Sequence, residues 1–124
     1  MNMKRLACAL LAGGSLSAQA APADLVGEWL CVDEVFEQRL SLRADGSYTN
    51  TPMMMGQVVL EQQGNWTFED ETLVLQQTLE IKRGASEAHQ HRLEQRVSAR
   101  TPQAFTRTHE NASGSAQVSA CTRS

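Results

Sequence analysis

The chain has 124 residues and a formal net charge of -3, and charged, hydrophobic and aromatic residues make up 20%, 41% and 5% of it. That length holds one small domain and excludes a multidomain machine, while the composition excludes extended disorder and leaves few large side chains for a core. The acidic balance argues against nucleic acid as a partner, because phosphate binding needs a basic field.

Lys4 and Arg5 precede an apolar run from Leu6 to Leu16 and the small-x-small triplet Ala18-Gln19-Ala20. This is the pattern of a secretory signal, residues 1–20, cleaved after Ala20. The run is about half of the ~20 residues a spanning helix needs, and Gly13 and Gly14 interrupt it, so no membrane span is expected. Residues 21–124 then form one domain, periplasmic or secreted, whose formal charge falls to -5 with the loss of Lys4 and Arg5. Removing Cys8 leaves Cys31 and Cys121, an even pair in an oxidising compartment, and these predict one disulfide from the start of the domain to its end. Closing so long a loop is worth roughly 4–5 kcal/mol in the chain-entropy treatment, and it requires Cα atoms within about 4.4–6.8 Å.

Two-residue alternation with frequent turn residues predicts strands near 26–36, 38–43, 47–52, 57–62, 64–69, 72–82, 87–100, 103–110 and 115–122. Turns are expected at Ala44-Asp45-Gly46, Gln63-Gly64-Asn65, Glu69-Asp70-Glu71, Arg83-Gly84-Ala85 and Ala112-Ser113-Gly114. Leu73, Leu75, Gln77, Leu79 and Ile81 form one expected dry face against a wet face of Thr72, Gln76, Thr78, Glu80 and Lys82. Residues 87–100 favour helix by propensity. Their alternation, with Leu93 and Val97 on the odd face and Arg92, Arg96 and Arg100 on the even one, favours strand. The fold class is therefore all-β: a small antiparallel up-and-down barrel or coiled sheet of about eight strands. Closing it brings the first and last strands together, as the Cys31–Cys121 disulfide also requires.

Gly27-Glu28-Trp29 on the first strand, Asp45-Gly46-Ser47-Tyr48 at a hairpin, and Gly64-Asn65-Trp66 before Leu73-Val74-Leu75 occur in the order found in small bacterial extracytoplasmic lipocalin-like, or calycin-type, barrels. The resemblance covers roughly residues 25–76 and implies a fold more than a function. The layout also resembles, more loosely, that of periplasmic C-type lysozyme inhibitors, without their inhibitory loop motif. Gly27 permits close backbone approach, Trp29 is expected to plug one end of the barrel, and Asp45-Gly46 supplies a positive-φ turn.

No nucleophile elbow or phosphate loop appears, so no enzyme activity and no cofactor are expected. The leading expectation is a non-enzymatic exported binding module whose loops contact a protein or envelope component. Met53, Met54 and Met55 offer an adaptable contact loop for it, and Arg92, Arg96 and Arg100 with Glu94 form an outward charge ladder, with Arg107 near it on the next strand, whose functional version is a site for an anion or acidic partner. One alternative is a carrier of a small apolar ligand lined by Trp29, Phe68 and the face from Leu73 to Ile81. Another is a copper or zinc site, with His89 and His91 on one strand face, His109 beside them and the Met53–Met55 run as thioether donors. Oligomeric state is not encoded in any of these patterns.

Overall fold

Alternation along this chain is realised as strand, and the turn residues set where each strand reverses. The computed structural model describes residues 22–110 and 113–124. The expected export signal, Cys8 and the turn residue Ala112 lie outside them. Nine strands occur among the described residues: β1 Gly27–Val32, β2 Glu37–Leu42, β3 Ser47–Met54, β4 Gln57–Val58, β5 Glu61–Glu69, β6 Thr72–Lys82, β7 Ala85–Ser98, β8 Ala104–Glu110 and β9 Ala116–Arg123. All pair antiparallel. Strand β4 is a short arm folded back on β3, and the other eight pair in the order 1-2-3-5-6-7-8-9, with β9 returning to β1. The result is a closed eight-stranded meander, and no described helix is long and apolar enough to cross a membrane.

Cys31 and Cys121 stand directly opposite in the closing β1–β9 ladder and form the predicted disulfide across 90 residues of sequence. Their Cα atoms are 3.9 Å apart, nearer than the expected window. Three hairpins turn on two residues that both have positive φ: Met55-Gly56 (53° and 80°), Asp70-Glu71 (53° and 59°) and Arg83-Gly84 (55° and 79°). That geometry matches the right-handed twist of the flanking strands. At the β2–β3 turn Gly46 has φ 90°, and Asp45 Oδ1 accepts from the Ser47 amide at 2.9 Å.

One expected turn is not a turn. Gln63-Gly64-Asn65 lies inside the continuous strand β5, where Gln63 pairs with Leu79 but Gly64 pairs with Gln77, leaving Thr78 as an extra residue. The expected strands at 57–62 and 64–69 are accordingly the short β4 and the long β5. A side chain at Gly64 would overlap the Gln76 carbonyl oxygen, so the close approach at this bulge requires glycine. The bulge also exchanges faces. Leu73, Leu75 and Gln77 point inward as expected, but Leu79 and Ile81 share the outer face of Gln63 and Glu61, because register partners project to one side.

The apolar core fills only one end of the barrel. Leu25, Trp29, Leu40, Leu42, Trp66, Leu73, Val97 and Phe105 are buried there with the disulfide. Trp29 meets Phe105 edge-on at 4.7 Å between ring centroids, and its indole N–H donates to the Leu25 carbonyl at 2.9 Å. Trp66 is held the same way by the Arg43 carbonyl at 2.9 Å. Arg123 then lids the end: its guanidinium lies 4.2 Å from the Trp29 ring centroid and donates to the carbonyls of Pro102, Val26 and Asp24 at 2.9, 3.0 and 3.0 Å. Both Gly-x-Trp segments thus plug one end of the barrel, which leaves the other end to be built differently.

Candidate functional site, a polar calyx at the open end

In a strand, residues two apart share a face. Moving two positions from each core residue toward the open end therefore gives the next inward layer, and that layer is polar. Leu40 leads to Gln38, Tyr48 to Asn50, Gly64 to Gln62, Leu75 to Gln77, Val97 to Gln95, Phe105 to Arg107 and Cys121 to Ser119. Together with Asp33, Phe36, His91, His109 and other rim residues these line a cavity of about 350 Å³ beside the β1–β2 and β3–β5 connections.

The layer is hydrogen-bonded around a buried cation. Asn50 Nδ2 donates to Gln38 Oε1 at 2.8 Å and to Gln62 Oε1 at 2.9 Å. Gln38 Oε1 also accepts from Arg107 Nη2 at 3.2 Å, and Gln95 Oε1 accepts from Arg107 Nη1 at 3.2 Å. Arg107 is 2% exposed. The ion pairs among the described residues are Arg92–Glu94, Arg100–Asp24 and Arg100–Glu71, so no carboxylate within 4.0 Å neutralises Arg107. Burial draws its pKa down to about 10, and the charge of Asp33 acts in the opposite direction. The group is cationic at neutral pH. Two buried atoms here have no hydrogen-bond partner, Arg107 Nε and Asn50 Oδ1. An unmet donor and an unmet acceptor beside one cavity are costly unless something supplies their partners.

Arg107 was expected near the outward charge ladder, and its position corrects that expectation. Its register partner is Val97, which faces the core, whereas Arg92, Glu94 and Arg96 face solvent. On that outer face Arg92 and Glu94 form an exposed pair at 3.0 Å. The missed signal was Gln77 on an otherwise dry face: polar residues at inward positions were legible by alternation, but nothing local separates a calyx-lining amide from a surface one.

The other candidate residues are distributed around the open end. His91 and His109 line the cavity, the His89 and His91 rings are 6.3 Å apart, and His109 Nδ1 lies 3.3 Å from the Glu94 carbonyl. No group of three His, Cys, Asp or Glu side chains suited to a metal is assembled among the described residues. Met53 is buried and pairs with Glu37 and Val58 on the β2–β4 side, away from the histidines on β7 and β8, while Met55 is 97% exposed at its turn. Of the residues named as lining for an apolar ligand, Trp29 and Leu73 lie in the closed-end core, Phe68 packs against it, Leu75 lines the cavity, and Leu79 and Ile81 share the outer face. Comparison with protein-family models, with curated proteins and with solved structures returns no match, so the functional reading rests on the barrel's own geometry.

Proposed function

We propose that the protein is a non-enzymatic, exported binding module that takes a small polar ligand into the open end of a lipocalin-like barrel. The observation that carries this reading is the polarity gradient along the barrel axis: a sealed apolar end with two tryptophan plugs, and an open end lined by carboxamides around one buried guanidinium. A cavity of about 350 Å³ is at the small end of the range for ligand sites. Carboxamides and a guanidinium, which outnumber Asp33, His91 and His109 in the lining, orient a ligand by hydrogen bonds and do not exchange protons at neutral pH. The long-range disulfide suits a periplasmic or secreted location. Native mass spectrometry of the exported, disulfide-bonded domain tests the reading. A small-mass adduct released on unfolding is the expected result; a bare mass, together with no thermal shift across a chemically broad small-molecule library, would overturn it.

A second reading, contact with a protein or envelope component, is favoured by the rim. Val35, Met55 and Val58 are 62%, 97% and 63% exposed on connections at the open end, and Val118 near the start of β9 is 53% exposed. Exposed apolar side chains gathered at one end mark an interaction surface more often than isolated ones do. Capture of a reproducible partner by the native chain, lost in Met55→Ser/Val58→Ser, is the outcome this reading expects.

A further inference from the structure

The proposed calyx contains a cation that its own protein leaves incompletely answered. Arg107 has five N–H donors. Two of them are spent on neutral amide oxygens at 3.2 Å, longer than the 2.7–2.9 Å usual for charge-assisted bonds, and its Nε has no partner. Arginine presents its donors as a planar fork that matches a carboxylate, which is a far stronger acceptor than an amide. The nearest influential acid, Asp33, does not close the circuit: its Oδ1 accepts from the amides of Val35 and Phe36 at 2.8 and 2.7 Å within the β1–β2 connection. On the same polar layer, joined through Gln38, Asn50 spends both its donor bonds on Gln38 and Gln62 and keeps Oδ1 unpaired. The site therefore holds one cation with no carboxylate within 4.0 Å and one buried acceptor with no donor.

We infer that the calyx binds a small organic carboxylate that also carries a hydroxyl or amino group, with the carboxylate on the Arg107 guanidinium and the donor on Asn50 Oδ1. The carboxylate displaces the weakly bound Gln38 and Gln95 carbonyls, and the shift of those flexible amides uncovers Nε. Burial strengthens the attraction between the two charges, and because Arg107 is already desolvated in the fold, only the ligand carboxylate's loss of water opposes it. The six carboxamides Gln38, Asn50, Gln62, Gln77, Gln95 and Gln117 share the lining with apolar side chains such as Phe36, Leu60 and Leu93, which suits a ligand with a polar head and a short carbon skeleton.

This inference rests on the binding reading above, and its test separates the two. The oxidised domain is titrated by calorimetry and thermal shift, in carboxylate-free buffer, with lactate, malate and 4-hydroxybenzoate, each against its primary amide, and with propionate and benzoate as acids lacking the extra hydroxyl. The expected result is that the tightest hydroxy acid outbinds its amide by about tenfold or more, outbinds the plain acid by a smaller factor, and loses its thermal shift in Arg107→Met. Amides binding as tightly as acids, or unchanged binding in Arg107→Met, would overturn the carboxylate assignment while leaving a ligand-binding calyx. Silence from the acids with binding by neutral library compounds does the same, and silence from everything removes both readings. Should Arg107→Met fail to fold, the Arg107 Nε–H resonance of the unaltered protein decides: it moves on adding the hydroxy acid if the inference holds, and an unmoved resonance in a protein that binds the acid refutes it.

Discussion

Opening the Cys31–Cys121 bond is the perturbation whose magnitude the fold sets most directly. The bond joins the outermost strands of the meander, whose closing ladder extends over only four residue pairs, from Trp29–Arg123 to Val32–Ala120. Without it, closing the barrel must order a loop of 90 residues of sequence separation. The chain-entropy treatment assigns such a loop about 4.6 kcal/mol, comparable with the lower end of the ~5–15 kcal/mol that stabilises a whole domain. For about 100 residues this corresponds to a Tm lowered by roughly 20–35 °C. The clean comparison is the reduced against the oxidised natural chain in urea, because both sulfurs then stay in the core, where Cys31 and Cys121 are 0% and 1% exposed. Cys31→Ser/Cys121→Ser adds polar groups to that core and should lose at least as much. Burial also predicts that reductant leaves the native protein oxidised until denaturant opens it. A reduced chain within about 1 kcal/mol of the oxidised one would show that the strand ladder alone closes the barrel, and would refute the reasoning.

Gly64→Ala should cost about 2–3 kcal/mol, because its Cβ would meet backbone atoms of Gln76 and Gln77 that cannot swing aside; Gly84→Ala, opposed only by its φ of 79° with nothing within 4 Å, should cost about 1 kcal/mol. The reverse order in urea unfolding would refute the role given to the bulge. Arg123→Met removes three bonds to carbonyls and the cation over Trp29, for an expected loss of about 2–4 kcal/mol by tryptophan fluorescence, and Arg123→Lys should not restore it. Tyr48 is the chain's single tyrosine, so its tyrosinate absorbance reports on it alone. Burial pushes its pKa up to about 12 from 10.0. Between those values the unfolded chain has lost the proton that the folded one keeps, so this stabilisation, about 2–3 kcal/mol, is present below pH 10 and lost as pH rises through about 12. A native midpoint near 10 would remove it.

Local and periodic features of the fold are legible in the residues alone. Strand character follows from two-residue alternation, even over residues 87–100 where propensity favours helix, because burial of Leu93 and Val97 against the rest of the core outweighs propensity. The reversals at Asp70-Glu71 and Arg83-Gly84 were legible from turn chemistry, and the disulfide from cysteine count and compartment. Tertiary structure alone decided whether Gly64 is a turn or a bulge, since a glycine serves either need and the choice depends on how closely the neighbouring strand approaches. That one extra residue carries Leu79 and Ile81 to the outer face. Alternation with Leu93 and Val97 already set Arg92 and Arg96 outside, but it took barrel closure to show that Arg107, two residues from Phe105, is buried inside. Where both faces carry polar residues, only the registers of the neighbouring strands, anchored by Phe105, Val97 and Cys121, choose between a solvated arginine and the buried cation of a binding calyx.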